Sequence, residues 1–102
     1  MNTLNKEQIF EQIGRNRDAL SRFGVRRLGL FGSFVRSAQD DDSDIDLLIE
    51  FEPEKKSFEN FMNLAFFLED LLDRKIDLVT PESLSPYIGP KILAEVEYGV
   101  ID

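Results

Sequence analysis

Gly32-Ser33 is followed, after ten intervening residues, by Asp44-Ile45-Asp46, and a further aspartate stands in the short run Lys75-Ile76-Asp77-Leu78-Val79. On a strand, Asp44 and Asp46 point the same way, about 6.7 Å apart along the chain. If residues 75–79 pair beside that strand, Asp77 joins them on a line about 4.8 Å away. Two like charges about 6 Å apart repel by roughly 3 kcal/mol at an effective dielectric near 20. Three aspartates gathered on one face are therefore a liability unless a cation shares them. The chain has no Cys and no His, so thiol nucleophiles, histidine acid–base chemistry and Cys/His zinc sites are excluded. Oxygen donors alone select a hard ion, Mg²⁺ or Mn²⁺, and two such ions suit displacement at phosphorus.

The glycine-serine pair points to the same chemistry. Glycine lets a phosphate approach the backbone, the start of a short helix offers unpaired N–H groups, and Ser33 adds a hydroxyl. Arg36, one turn on, can place a guanidinium on a phosphate oxygen. Taken alone, the dipeptide reads as an ordinary turn with Ser33 as a helix cap, and D-x-D alone is a weak motif. Their combination with Asp77 carries the signal. The acidic run Asp40-Asp41-Asp42 also suggests a calcium loop, but that loop needs Gly at its sixth position and Glu at its twelfth. Counting from Asp40 gives Ile45 and Phe51, and counting from Asp42 gives Leu47 and Pro53, so the EF-hand is excluded.

The elements that must position these residues are readable from periodicity. Asn5 and Gln8 form a capping-box pattern opening a helix over Lys6 to Arg22, with Ile9, Phe10, Ile13, Leu20 and Phe23 inward and Gly14 weakening its middle. Val25 to Phe31 reads as a strand, Ser33 to Ala38 as a short helical turn, and Asp44 to Phe51 as the clearest strand. There Ile45, Leu47, Ile49 and Phe51 alternate with Asp44, Asp46, Leu48 and Glu50. Ser57 caps a helix to about Asp73 whose wide apolar band, Phe58 to Leu72, makes it the main core element. Residues 75–79 form a short strand, and a last helix runs from Tyr87 to Glu97, ended by Gly99. The expected fold class is α/β (α+β): a small mixed sheet with helices packed on one face, in a single domain over residues 1–102.

Composition narrows the partners. Twelve basic against twenty acidic residues give a net charge of −8, unfavourable for direct nucleic-acid binding. No apolar run is long enough to span a membrane and the start lacks a signal-peptide core, so a cytoplasmic protein is expected.

The GS-x10-D-x-D arrangement resembles the signature of the DNA polymerase β-type nucleotidyltransferase superfamily. The stretches Gly32-Ser33-Phe34-Val35-Arg36 and Ser43-Asp44-Ile45-Asp46-Leu47-Leu48 are similar to its smallest branch, the minimal nucleotidyltransferases of the MntA type, which act as antitoxins of HEPN-domain toxins. The likeness spans essentially the whole chain, with Tyr87-Ile88-Gly89-Pro90-Lys91-Ile92-Leu93 a less diagnostic part of it. One departure is Ser37, where many relatives carry Gly after the arginine.

The resemblance implies that Gly32, Ser33 and Arg36 hold ATP, that Asp44, Asp46 and Asp77 bind two Mg²⁺ ions, and that all three aspartates serve catalysis, Asp77 as acceptor of the attacking hydroxyl's proton. The implied reaction is AMP transfer from ATP to a hydroxyl, tyrosine foremost, of a HEPN-type ribonuclease toxin encoded nearby, which neutralises it. A chain of this charge suits a basic partner. The alternative is a binding-only antitoxin that blocks its toxin sterically, its nucleotidyltransferase site vestigial. Transfer to a small molecule is disfavoured, because larger superfamily members use extra domains to hold such acceptors.

Overall fold

In a computed structural model describing residues 4–40 and 42–99, the Asn5 capping box is present: Asn5 Oδ1 accepts from the Gln8 N–H (2.9 Å) and Gln8 Oε1 from the Asn5 N–H (3.0 Å). It opens helix α1, Lys6–Arg15. The expected single helix to Arg22 is broken at Asn16, with φ −112° and ψ 19°, and resumes as α2, Arg17–Arg22. Asn16 causes the break by bonding locally: its side-chain amide donates to the Gln12 carbonyl (2.8 Å), competing with the helical ladder. Ile9, Ile13 and Leu20 are buried as expected, and Phe10 and Phe23 are partly so.

Four strands follow: β1 Val25–Phe31, β2 Ile45–Phe51, β3 Ile76–Val79 and β4 Glu97–Gly99. Their order is β3-β2-β1-β4, with β1 antiparallel to both β2 and β4, and β2 parallel to β3. The sheet is mixed, in agreement with the fold class read from the sequence. A parallel pair needs a crossover, supplied by α3, Phe58–Leu72. Ser57 Oγ caps α3 on the Asn60 N–H (3.1 Å), and Asp73 ends it in the left-handed region at φ 51°. The Ile45 N–H then donates to the Lys75 carbonyl (2.9 Å) and sets the β2–β3 register.

One sheet face carries the core. Ile9, Ile13, Leu20, Leu64, Leu68 and Leu72 from α1, α2 and α3 pack on Val25, Leu28, Leu30, Ile45, Leu47, Ile49, Phe51 and Ile76. Each fully buried Leu or Ile contributes about 1.5–3 kcal/mol of transfer free energy. The buried stripe of α3 is narrower than its composition suggests: Leu64, Leu68 and Leu72 sit at i, i+4 spacing, while Phe58, expected inside, lies off the stripe and is 80% exposed.

The C-terminal segment departs from expectation. The expected helix from Tyr87 to Glu97 shortens to α4, Gly89–Glu95, and Glu97–Gly99 forms edge strand β4 against β1. Alternation decides it: Tyr98 lies opposite Gly29, whose missing side chain leaves room for Val96 and Tyr98. A Cβ on Gly29 would lie 2.4 Å from Val96 Cγ2. This segment thus overlies part of the second face. Leu48, the neighbour of Gly29 on that face, is fully buried, unlike Asp44 and Asp46, which share the face with it.

Candidate active site

β1 delivers Gly32 to the sheet end where Phe31 pairs with Asp46 of β2. Gly32 adopts φ 78°, open to glycine and strained for other residues, and a Cβ there would lie 2.1 Å from Asp46 Oδ2. Glycine is needed because a carboxylate lies against its backbone. The expected helical turn over Ser33 to Ala38 is a single 3-10 turn, Gly32–Phe34, anchored by the fully buried Phe34. So short a helix has little dipole, and the donors available here are a hydroxyl, local N–H groups and Arg36. Ser33 is half-buried and Arg36 exposed. Ser37 has φ 57°, a left-handed conformation that glycine adopts without strain.

The three aspartates fall as alternation predicts. Asp46 of β2 is paired directly with Asp77 of β3 by the parallel register, and Asp44 immediately precedes β2. Asp46 is half-buried, whereas Asp44 and Asp77 are exposed. Burial, then the neighbouring Asp77 and Asp44 charges, push the Asp46 carboxyl up to about 6, with Arg36 opposing. The three carboxylates thus repel one another most at Asp46. Among the described residues no three His, Cys, Asp or Glu side chains are arranged to hold a metal ion as they stand. The donor chemistry fits a hard divalent ion, and the carboxylates must turn to converge on it.

One residue not singled out in the sequence enters the site. Glu95, at the end of α4, accepts from the Gly32 N–H through Oε2 (2.8 Å) and from Arg36 Nη1 through Oε1 (2.8 Å). Partial burial acts to raise its carboxyl, but the Gly32 N–H and the Arg36 guanidinium outweigh this and hold it below the ordinary glutamate value. A lone acid closing an apolar helix carries no local signal for such a role. Arg27 lies away from this site: it pairs with Glu50 (2.7 Å) and stacks on Tyr98 (3.9 Å to the ring centre). A cavity of about 460 Å³ is also there, lined by Arg27, Glu50, Thr80, Leu93 and Tyr98 among others, and none of the three aspartates lines it. Among the described residues no helix is long and apolar enough to cross a membrane.

A mixed four-stranded sheet with a Gly-Ser turn against paired aspartates defines a minimal nucleotidyltransferase. Residues 13–98 match the family described as Nucleotidyltransferase domain, and the chain belongs to that family. It is similar to the protein adenylyltransferase MntA of Thermococcus cleftensis, 47% identical over 77 residues that cover 76% of this chain and 77% of that one. It also resembles a solved structure described as a minimal nucleotidyltransferase, with a TM-score of 0.79, 29% identity, and coverage of 95% of this chain and 98% of the other. A chain from a solved mutant MntA–HpeT toxin–antitoxin complex matches at a TM-score of 0.66 and 25% identity, over 96% of this chain and 75% of that one. The protein is a nucleotidyltransferase enzyme.

Proposed function

We propose that this nucleotidyltransferase is an antitoxin that transfers AMP from ATP to a hydroxyl, tyrosine foremost, of a HEPN-type ribonuclease toxin encoded nearby. The observation that carries the reading is the in-register pairing of Asp46 with Asp77 beside the Gly32 turn. The similarity to an MntA protein adenylyltransferase and to a chain of a toxin–antitoxin complex supports AMP as the group transferred and a toxin as the acceptor.

In this reading Ser33 and Arg36 bind the triphosphate, and Gly32 lets it lie close to the backbone. Asp44, Asp46 and Asp77 would hold two Mg²⁺ ions, which when bound neutralise charge on the triphosphate. The acceptor hydroxyl attacks the α-phosphorus, its proton passes to Asp77, the bond to the bridging oxygen breaks, and pyrophosphate leaves. Asp77 suits the base because it is exposed on the edge strand, where a hydroxyl carried on a protein surface can reach it. Rate enhancement comes mainly from positioning and charge neutralisation.

The experiment is to incubate the protein with ATP, Mg²⁺ and the neighbouring toxin and to weigh both chains by mass spectrometry. A gain of AMP on the toxin, lost in the Asp44→Ala/Asp46→Ala variant together with neutralisation, is expected. An unmodified toxin that both the native and the variant protein still silence would establish steric blocking instead.

A further inference from the structure

We propose that Glu95 is a positioning residue for the nucleotide: its carboxylate holds the Gly32–Ser33 turn and aims Arg36 at the triphosphate. This rests on the nucleotide site proposed above.

The argument begins with the sheet. The β1–β4 ladder pairs Leu28 with Gly99, Gly29 with Tyr98 and Leu30 with Glu97, so its continuation sets Gly32 opposite Glu95. At that point the chain is still helical, since α4 ends at Glu95, and no strand backbone is there to accept the Gly32 N–H. The Glu95 side chain takes over and serves as the missing ladder acceptor. It thereby fixes the residue whose backbone must lie against Asp46.

The other carboxylate oxygen governs Arg36. That side chain is 58% exposed and, left to itself, would sample many rotamers. Glu95, only 27% exposed, holds it by Nη1 alone. Among the described residues no other hydrogen bond engages the guanidinium, so the rest of its planar fork can meet a phosphate. The Arg36 charge also opposes the rise of the Asp46 carboxyl. One carboxylate therefore joins α4 to both the turn and the cation beside it.

A rival reading uses the same contacts: Glu95 occupies the phosphate's place and must leave when ATP binds. The two readings predict opposite signs. Equilibrium binding of a non-hydrolysable ATP analogue with Mg²⁺ should be measured by calorimetry on the native chain and on Glu95→Ala, Glu95→Gln, Arg36→Ala and the Glu95→Ala/Arg36→Ala double variant, with the melting temperature of each. Glu95→Ala should weaken binding about tenfold, the size of a lost charge-assisted hydrogen bond. Glu95→Gln, which keeps an acceptor for the Gly32 N–H, should weaken it less, and it carries the test if the alanine variant fails to fold. In the Arg36→Ala background the Glu95→Ala loss should shrink to threefold or less. Equal or tighter binding by Glu95→Ala overturns the proposal in favour of the place-holder, and an equal loss with and without Arg36 overturns it in favour of a purely structural contact. Failure of the native chain to bind the analogue strikes the nucleotide site itself and the proposal with it.

Discussion

Gly32 and Asp46 form the tightest juxtaposition at the site, and each yields a prediction. Alanine at position 32 must accept φ 78° and place a Cβ 2.1 Å from Asp46 Oδ2. Gly32→Ala should therefore cost about 2–3 kcal/mol in chemical denaturation, and ATP titration should show at least a tenfold loss of affinity. Retention of both would mean that the turn relaxes freely. For Asp46 the prediction concerns pH. Its carboxyl sits at about 6 in the metal-free folded chain and near the ordinary value of about 3.9 when unfolded. A raised carboxyl favours folding while protonated, so its contribution is complete below the unfolded value and is lost as pH rises through 6. Measured against Asp46→Asn, the metal-free melting temperature should fall between pH 4 and 6.5. A divalent cation competes with that proton, so the stabilisation given by Mg²⁺ should grow over the same window. A Mg²⁺ effect that stays flat from pH 5 to 7.5 would remove Asp46 from the ligand set.

At the scale of elements, the N-terminal helix pair offers a test that leaves the site untouched. A Cβ on Gly14 meets nothing within 4 Å, so Gly14→Ala should stabilise α1 by up to about 1 kcal/mol. That would raise the melting temperature by up to about 4–8 °C with ATP binding unchanged. The same element marks a limit of sequence reading. The apolar spacing of Ile9, Ile13 and Leu20 was legible, but the break at Asn16 depends on one side-chain bond to Gln12 that periodicity does not register. β2 and β3 were legible as strands because alternation forces Asp46 and Asp77 off the core face, whereas their pairing entered only as a condition, which the parallel register meets. β4 was missed because Glu97-Tyr98-Gly99 is three residues long and directly continues a helical pattern, so only the space left by Gly29 makes it a strand. Glu95 was illegible for a related reason. Its role depends on where α4 ends relative to β1, a tertiary fact with no local trace.

At the scale of the molecule, charge sets the expectation. With a net charge of −8, association with the toxin proposed above, on the further proposal that its surface is basic, should be steered over long range, and its rate should fall at least tenfold between 50 and 500 mM salt. Stopped-flow mixing with the toxin checks this, and a salt-independent rate would point to an apolar interface instead. The parallel β2–β3 pair bears on how this chain can change its length. Asp46 faces Asp77 only because the Ile45 N–H finds the Lys75 carbonyl directly after the left-handed turn at Asp73. A residue gained or lost in the polar connection ahead of Ser57 is absorbed before α3 begins and leaves the pair intact. The same change between Asp73 and Lys75 shifts β3 by one place and turns Asp77 toward the helices. Two stretches at the surface should thus differ in what they tolerate: the connection should accept a change of length with the aspartate pair kept, while the turn should allow substitution at fixed length only.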